Sequence, residues 1–372
     1  MLNTIALTFA ATLTGGSSFD YELACGAVNS TSAQSQPALL LIGGDEAGRV
    51  GEVEATEWFL ASGGGGDYLV LRADGVGGQA QWICDNFSAQ VSSAAELSVD
   101  SMAAANDPQV QNLLADAEMV FIAGGDQSLY RQAWRDTLLS QALEAHATSG
   151  AIAGTSAGMA ILGSSYYAPA TSGVLSSELL NDPYHPLSQG LSHDDFLSLP
   201  WIANVITDTH LDRQHGPDNE NRYGRLFALL ARTWQDRDSA RPAYAIGAEE
   251  GAFVGVDQSG MAQVFGNGAG GGAAAYFLIA YRTPPEQQTA SLPLVWNNQQ
   301  LAVKAYRIDG EITGSGQFDV SDFGAAASGG EWLDWWTSAG AAGFNFTGGQ
   351  CAACGNALPP GELIHIDGFE LQ

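Results

Sequence analysis

From Pro37 onward the chain alternates short, continuous apolar runs with Gly-rich turns and with stretches whose apolar residues recur every three or four positions. The runs at 38–42, 68–72, 119–123, 151–154, 205–207 and 243–248 are apolar throughout, as strands covered on both faces should be. Between them, 129–146 carries Trp134, Leu138, Leu139, Ala142 and Leu143 at helical spacing, and 221–234 repeats the pattern with Leu226, Leu229 and Leu230. The alternation predicts an α/β domain, a three-layer sandwich around a mostly parallel sheet.

After residue 252 the period shortens to strands and hairpins at 253–256, 262–265, 275–280 and 301–306, parted by Gly-rich turns such as 267–272. These predict a C-terminal antiparallel β annex. The organisation expected is an N-terminal segment 1–36, an export signal or loose arm, then a catalytic domain 37–280 and a Gly/Trp-rich extension 281–372 packed on it. Within the extension, Trp332, Trp335 and Trp336 read as packing residues, with an aromatic polymer platform as the alternative.

Thirteen Lys and Arg against 41 Asp and Glu leave a net charge of −28, and Lys304 is the chain's only lysine. A polyphosphate binder needs clustered cations to release counterions, so nucleic acid is excluded as a partner, and anionic membrane with it. No apolar run reaches the ~18 residues of a membrane helix. Residues 1–13 have an apolar stretch without a basic start, which leaves a secretory signal and a misplaced start both open. Four cysteines, Cys25, Cys84, Cys351 and Cys354, allow two disulfides in an oxidising compartment. With the acidic balance, that suits a secreted or periplasmic protein.

The chemistry gathers where strands end. Gly-Thr-Ser-Ala-Gly at 154–158 follows a strand and opens a helix, the nucleophile elbow that raises a serine hydroxyl at the sheet edge. Ser156 is the candidate nucleophile, and the Ala157 amide, at the head of the helix, a candidate oxyanion donor. Ala123-Gly-Gly-Asp-Gln-Ser128 forms a second strand-to-helix turn, where the Gly125 amide is the second donor candidate and Gln127 a ligand for a substrate amide. Helix capping by Asp126 is the plain alternative. Of six histidines, His210 sits at a strand end and is the expected base. Glu250 is the expected carboxylate partner, with Glu249 next, since adjacent residues of a strand point to opposite faces. The pattern calls for no metal and no cofactor. His193-Asp194-Asp195 reads as a solvated loop.

Taken together, Gly-Gly-Asp-Gln (124–127), Gly-Thr-Ser-Ala-Gly (154–158), Asp208-Thr-His210, Arg222-Tyr-Gly-Arg-Leu226 and Gly247-Ala-Glu-Glu250 resemble cyanophycinase and its exported relatives among the dipeptidase E-like serine peptidases. The resemblance covers roughly residues 37–280. It implies a fold like that of class I glutamine amidotransferases and a Ser156-His210-Glu250 triad. It also implies substrate contacts from Gln127, Asp208, Thr209, Arg213, Arg222 and Arg225. Cyanophycin is poly-aspartate with arginine on each β-carboxyl, and cyanophycinases release β-Asp-Arg from it, so a peptide or cyanophycin-like polymer is the implied substrate. Two departures stand out: Thr209 where the family has Gln, and the run 215–220 inserted before Arg222. They keep a peptidase of other aspartyl dipeptides or isopeptides in view. A catalytically silent polymer-binding module is the third reading, and homodimerisation is expected only by analogy with related folds.

Overall fold

A computed structural model describes residues 19–28, 35–75, 77–237, 242–267, 273–280 and 283–346. The expected signal at 1–13 and the Cys351-Cys354 pair lie outside the described residues.

The first strands in chain order are β1 (Asp20–Gly26), β2 (Ala38–Ile42), β3 (Asp67–Arg72), β4 (Ser93–Ser98), β5 (Met119–Ile122) and β6 (Ala151–Thr155). Next come β7 (Ser165–Tyr167), β8 (Leu191–His193), β9 (Val205–Thr209), β10 (Ala243–Ala248), β11 (Phe253–Val256), β12 (Met261–Phe265) and β13 (Ala274–Ala280). The last are β14 (Val303–Asp309), β15 (Ser315–Asp319), β16 (Ala327–Ser328), β17 (Glu331–Thr337) and β18 (Phe344–Asn345).

They build two mixed sheets where one mostly parallel sheet is expected. The first runs β1-β4-β3-β5-β6-β2-β11-β12-β15-β16, and its heart, β4 to β2, is parallel. The second runs β18-β17-β14-β13-β10-β9-β7-β8, with parallel pairing confined to β7, β9 and β10. The runs at 205–207 and 243–248 are strands as expected, but they belong to this second sheet. The late hairpins are not a separate annex: β12, β15 and β16 extend the first sheet, whereas β13, β14 and β17 extend the second.

Alternate positions explain the layers. Leu39 and Leu41 of β2 and Ile152 of β6 share one buried cluster with Ile246 of β10 and Phe277 of β13, so the two sheets meet across it. The opposite positions, Leu40 and Ile42, turn to the helices Glu52–Ser62 and Gln79–Phe87. On the far side of the second sheet, Ala245 and Leu278 pack under the helix Tyr223–Arg237. Trp335 is fully buried in that cluster and Trp336 packs against it, so these two tryptophans serve the core.

Three local departures have clear causes. The expected helix over 129–146 is two, Gln127–Trp134 and Leu138–His146, because Asp136 takes φ 59° and Thr137 starts a new capping box with Ser140. The arm expected to be loose contains β1, paired with β4 and tied to the helix Gln79–Phe87 by a Cys25–Cys84 disulfide. β4, Ser-Ala-Ala-Glu-Leu-Ser, has no apolar signature, yet it is wholly buried. Its Glu96 carboxylate accepts the amides of Gly77 and, at 3.2 Å, Ala80, and so satisfies the helix start beside it.

Candidate active site

The carboxyl ends of β2 and β6 in the first sheet converge on those of β9 and β10 in the second. Backbone bonds clamp them together: His210 N–H donates to Gly43 O at 2.9 Å, Gly251 N–H to Gly44 O at 2.9 Å, and Ser156 N–H to Ile42 O at 3.1 Å. Open α/β sheets put their clefts at this edge.

Ser156 caps the short helix Ala157–Ala160 with φ 50° and ψ −114°, a region that non-glycine residues avoid. Its glycine neighbours make the bend feasible. A Cβ on Gly154 would lie 2.7 Å from the Gly158 backbone, and one on Gly158 would lie 2.1 Å from Ile122 O. Both glycines are therefore required for the helix to leave the strand so sharply. The hydroxyl that results faces His210, with Oγ 2.8 Å from Nε2. The imidazole's Nδ1 is 2.7 Å from Glu250 Oε1.

His210 also adopts positive φ, 52°, and it is buried. Burial holds its pKa below the ordinary imidazole range. The Glu250 hydrogen bond pulls the other way, while the positive charges of Arg222 and Arg213 add to the lowering. The ring is therefore neutral, the form in which it can take a proton.

The two adjacent acids separate cleanly. Glu249 is buried on the opposite face, where Tyr223 and Tyr276 hydroxyls donate to it at 2.5 and 3.0 Å and Ala274 N–H donates at 3.0 Å. Glu250 faces His210 and receives weaker attraction from Arg213 at 3.4 Å and Arg49 at 3.9 Å. Its own amide is held by Asp212 Oδ1 at 2.9 Å.

The second turn lies alongside. A Cβ on Gly124 would point at Ser156, whereas Gly125, at φ 146°, backs onto Asp74. The Gly125 and Ala157 amides donate to no acceptor among the described residues. Asp126 does cap the helix Gln127–Trp134, by accepting Ser128 N–H at 2.8 Å, and the half-buried Gln127 amide approaches Tyr167 O at 3.4 Å.

The six residues named as substrate contacts divide. Asp208 and Arg225 are buried and engaged with each other, Nε–Oδ2 at 2.9 Å and Nη2–Oδ1 at 2.6 Å, so Asp208 braces β9 against the helix Tyr223–Arg237 and its carboxylate is occupied. Thr209 is buried, and its carbonyl accepts Arg222 Nη1 at 3.1 Å. Arg213 is exposed beside Glu250. His193, Asp194 and Asp195 are not a bare solvated loop: they pair with Ser165, Arg237 and Arg135.

Sequence reasoning passed over Gly43 and Gly44. A Cβ on Gly44 would fall 2.2 Å from His210 Cε1, and one on Gly43 would fall 1.9 Å from Glu249 O. The signal was present, a glycine pair directly after an apolar strand, but its neighbour lies more than 160 positions away.

A family model described as peptidase family S51 matches residues 72–186. Two curated cyanophycinases, from Trichormus variabilis and from a Nostoc species, are each 26% identical over 286 residues, covering 75% of this chain and 84% of theirs. A solved structure of a peptidase from an acI-B1 Actinobacterium covers 66% of this chain and 91% of its own, at 18% identity and a TM-score of 0.43. These sequence matches make the chain a cyanophycinase-like member of peptidase family S51, a hydrolase of the serine-peptidase type.

Proposed function

We propose that the chain hydrolyses cyanophycin or a similar isopeptide-branched polymer, releasing β-Asp-Arg through an acyl-enzyme. The observation that carries this reading is the continuous relay Ser156 Oγ to His210 Nε2 at 2.8 Å and His210 Nδ1 to Glu250 Oε1 at 2.7 Å. In it Ser156 attacks the scissile carbonyl while His210 takes its proton, and Glu250 holds the tautomer and offsets the imidazolium charge. The Gly125 and Ala157 amides stabilise the oxyanion, each such donor contributing about 3 kcal/mol in comparable hydrolases. His210 then returns the proton to the departing amine, and water repeats the sequence on the ester. The likeness to glutamine amidotransferase folds belongs to the same reading, because the candidate serine sits in an elbow after a parallel strand. The Cys25–Cys84 bridge supports an oxidising, exported setting.

The run 215–220 favours a second reading on one specific ground: it walls the cationic pocket beside the relay, which narrows the accepted leaving group. Short aspartyl dipeptides are the substrates in that case. Mass spectrometry of products from insoluble cyanophycin, with wild type and Ser156→Ala in parallel, tests both. Release of β-Asp-Arg by wild type alone supports the first reading. Labelling of Ser156 by a fluorophosphonate without release moves the search to the dipeptides.

A further inference from the structure

Beside the relay, residues 215–220 form a tight antiparallel bridge. His215 N–H donates to Glu220 O and Glu220 N–H returns to His215 O, both at 2.8 Å. The hairpin is anchored to the helix Ser176–Asn181, where the Glu220 carboxylate accepts Ser177 N–H at 2.7 Å and Ser177 Oγ at 2.5 Å. Gly216 packs at φ 70° against Leu175. It is thus a fixed wall, and between it and Gly173–Ser176 lies a pocket of about 200 Å³ with Arg222 and Arg225 among its lining.

The donors in this pocket are not used up. Arg222 spends Nη1 on Thr209 O, but its Nε is buried with no hydrogen-bond partner, and His215 Nε2 is likewise buried and unpartnered. Arg225 commits Nε and Nη2 to Asp208, and the atom nearest Gly173 is its remaining Nη1. Asp208 balances Arg225, and no carboxylate pairs with Arg222 among the described residues. Glu220 lines the pocket, yet both its oxygens are taken by Ser177. Two orphaned buried donors around one uncompensated cation call for a compact anion.

Resting on the peptidase reading above, we propose that His215 is a specificity-determining residue that donates from Nε2 to the free carboxylate of the leaving group, held beside it by Arg222. A neutral imidazole suits this position because it adds a donor without adding a third buried cation next to two guanidiniums. Only the inserted hairpin supplies it, so the preference for a carboxylate-terminated leaving group is a property of this chain's own loop.

The test uses Ser156→Ala protein, which binds without turning over, and a peptide of three β-Asp-Arg units made as the C-terminal acid and as the C-terminal amide. Calorimetry should give acid binding at least tenfold tighter than amide binding. Adding His215→Ala should weaken the acid about tenfold, the loss of one hydrogen bond to a charged group, and leave the amide unchanged. His215→Gln, which restores an N–H near Nε2, should recover most of the difference and guards against a merely misfolded alanine variant. Equal loss for acid and amide, or no loss in His215→Ala, overturns the role of His215 while leaving the peptidase reading intact. Absence of binding by either peptide, with Ser156 of the parent still labelled by a fluorophosphonate, overturns both the proposal and the substrate reading.

Discussion

Ser156 and His210 are each held at positive φ, 50° and 52°, and their side chains meet at 2.8 Å although they close strands of different sheets. Two strained residues facing one another across a sheet junction are over-determined by what surrounds them. The glycines 154 and 158 fix one, and the backbone bond to Gly43 with the ring contact at Gly44 fixes the other.

Adjacent acids should therefore give opposite phenotypes. Glu250→Gln removes the carboxylate at Nδ1 and should lower kcat about 10⁴-fold with little change in melting temperature. Glu249→Gln disturbs the buried bonds to Tyr223 and Tyr276 and should lower stability by about 1–3 kcal/mol while kcat stays within a few-fold. Steady-state kinetics and thermal unfolding on both variants check this, and exchanged phenotypes would reverse the assignment.

Gly44→Ala is a steric probe of the imidazole. The new methyl would stand 2.2 Å from Cε1, and the ring must move or the loop must shift. A displacement of the order of 1 Å costs about 100-fold in rate, so kcat should fall by that much, with fluorophosphonate labelling of Ser156 slowed in step. Unaltered labelling would mean that the ring is not held from this side.

The pH dependence has a definite sign. His210 must be neutral to accept a proton, and its folded pKa lies below the ordinary value of about 6.5. Activity should hold as pH falls through 6.5 and be lost only below it. A kcat/KM profile whose acidic limb sits at or above 6.5 contradicts the lowering by burial.

Stability should follow the same direction at His215, whose pKa burial and then Arg222, Arg225 and Arg213 push down to about 4. A depressed base binds its proton in the unfolded chain first. Its contribution is complete above about 6.5 and is lost as the pH falls toward about 4. Melting temperatures of wild type and His215→Gln, measured from pH 7 to 4, should diverge at the acidic end, with the wild type falling faster. Parallel curves would remove His215 from the account.

The Cys25–Cys84 bridge closes a loop between residues 59 apart and ties the edge strand β1 to the first sheet. Cys25→Ser with Cys84→Ser should cost about 4 kcal/mol on chain-entropy grounds. The bridge lies at the sheet edge away from β6, so kcat well below the melting transition should stay near wild type. Thermal unfolding and kinetics on the double variant read the two effects separately.

Much of the active-site edge is written locally. The elbow at 154–158 is legible because its three requirements, two glycines and a small residue around a serine, fall within five positions. The strands at 38–42, 119–122 and 151–155 are legible because burial on both faces demands apolar side chains without interruption. β4 escaped for the converse reason: its burial is compensated by Glu96 bonding to a neighbouring helix start, and no periodicity records that exchange.

What only the tertiary structure decided is which strands share a sheet and which face of each meets a neighbour. Alternation makes Glu249 and Glu250 point apart, but nothing in their sequence says which side His210 occupies. That depends on the loop 43–44 lying across the ends of β9 and β10. Sheet partners are long-range choices made by the packing of whole faces, and a strand's own side chains are compatible with either sheet. The sequence by itself settled the elements and the residue types at their ends, since those are enforced by backbone sterics and burial within a few residues. The pairing of Cys25 with Cys84, the split into two sheets and the cationic pocket behind the inserted hairpin arise from contacts between distant segments, which only the folded chain brings within reach.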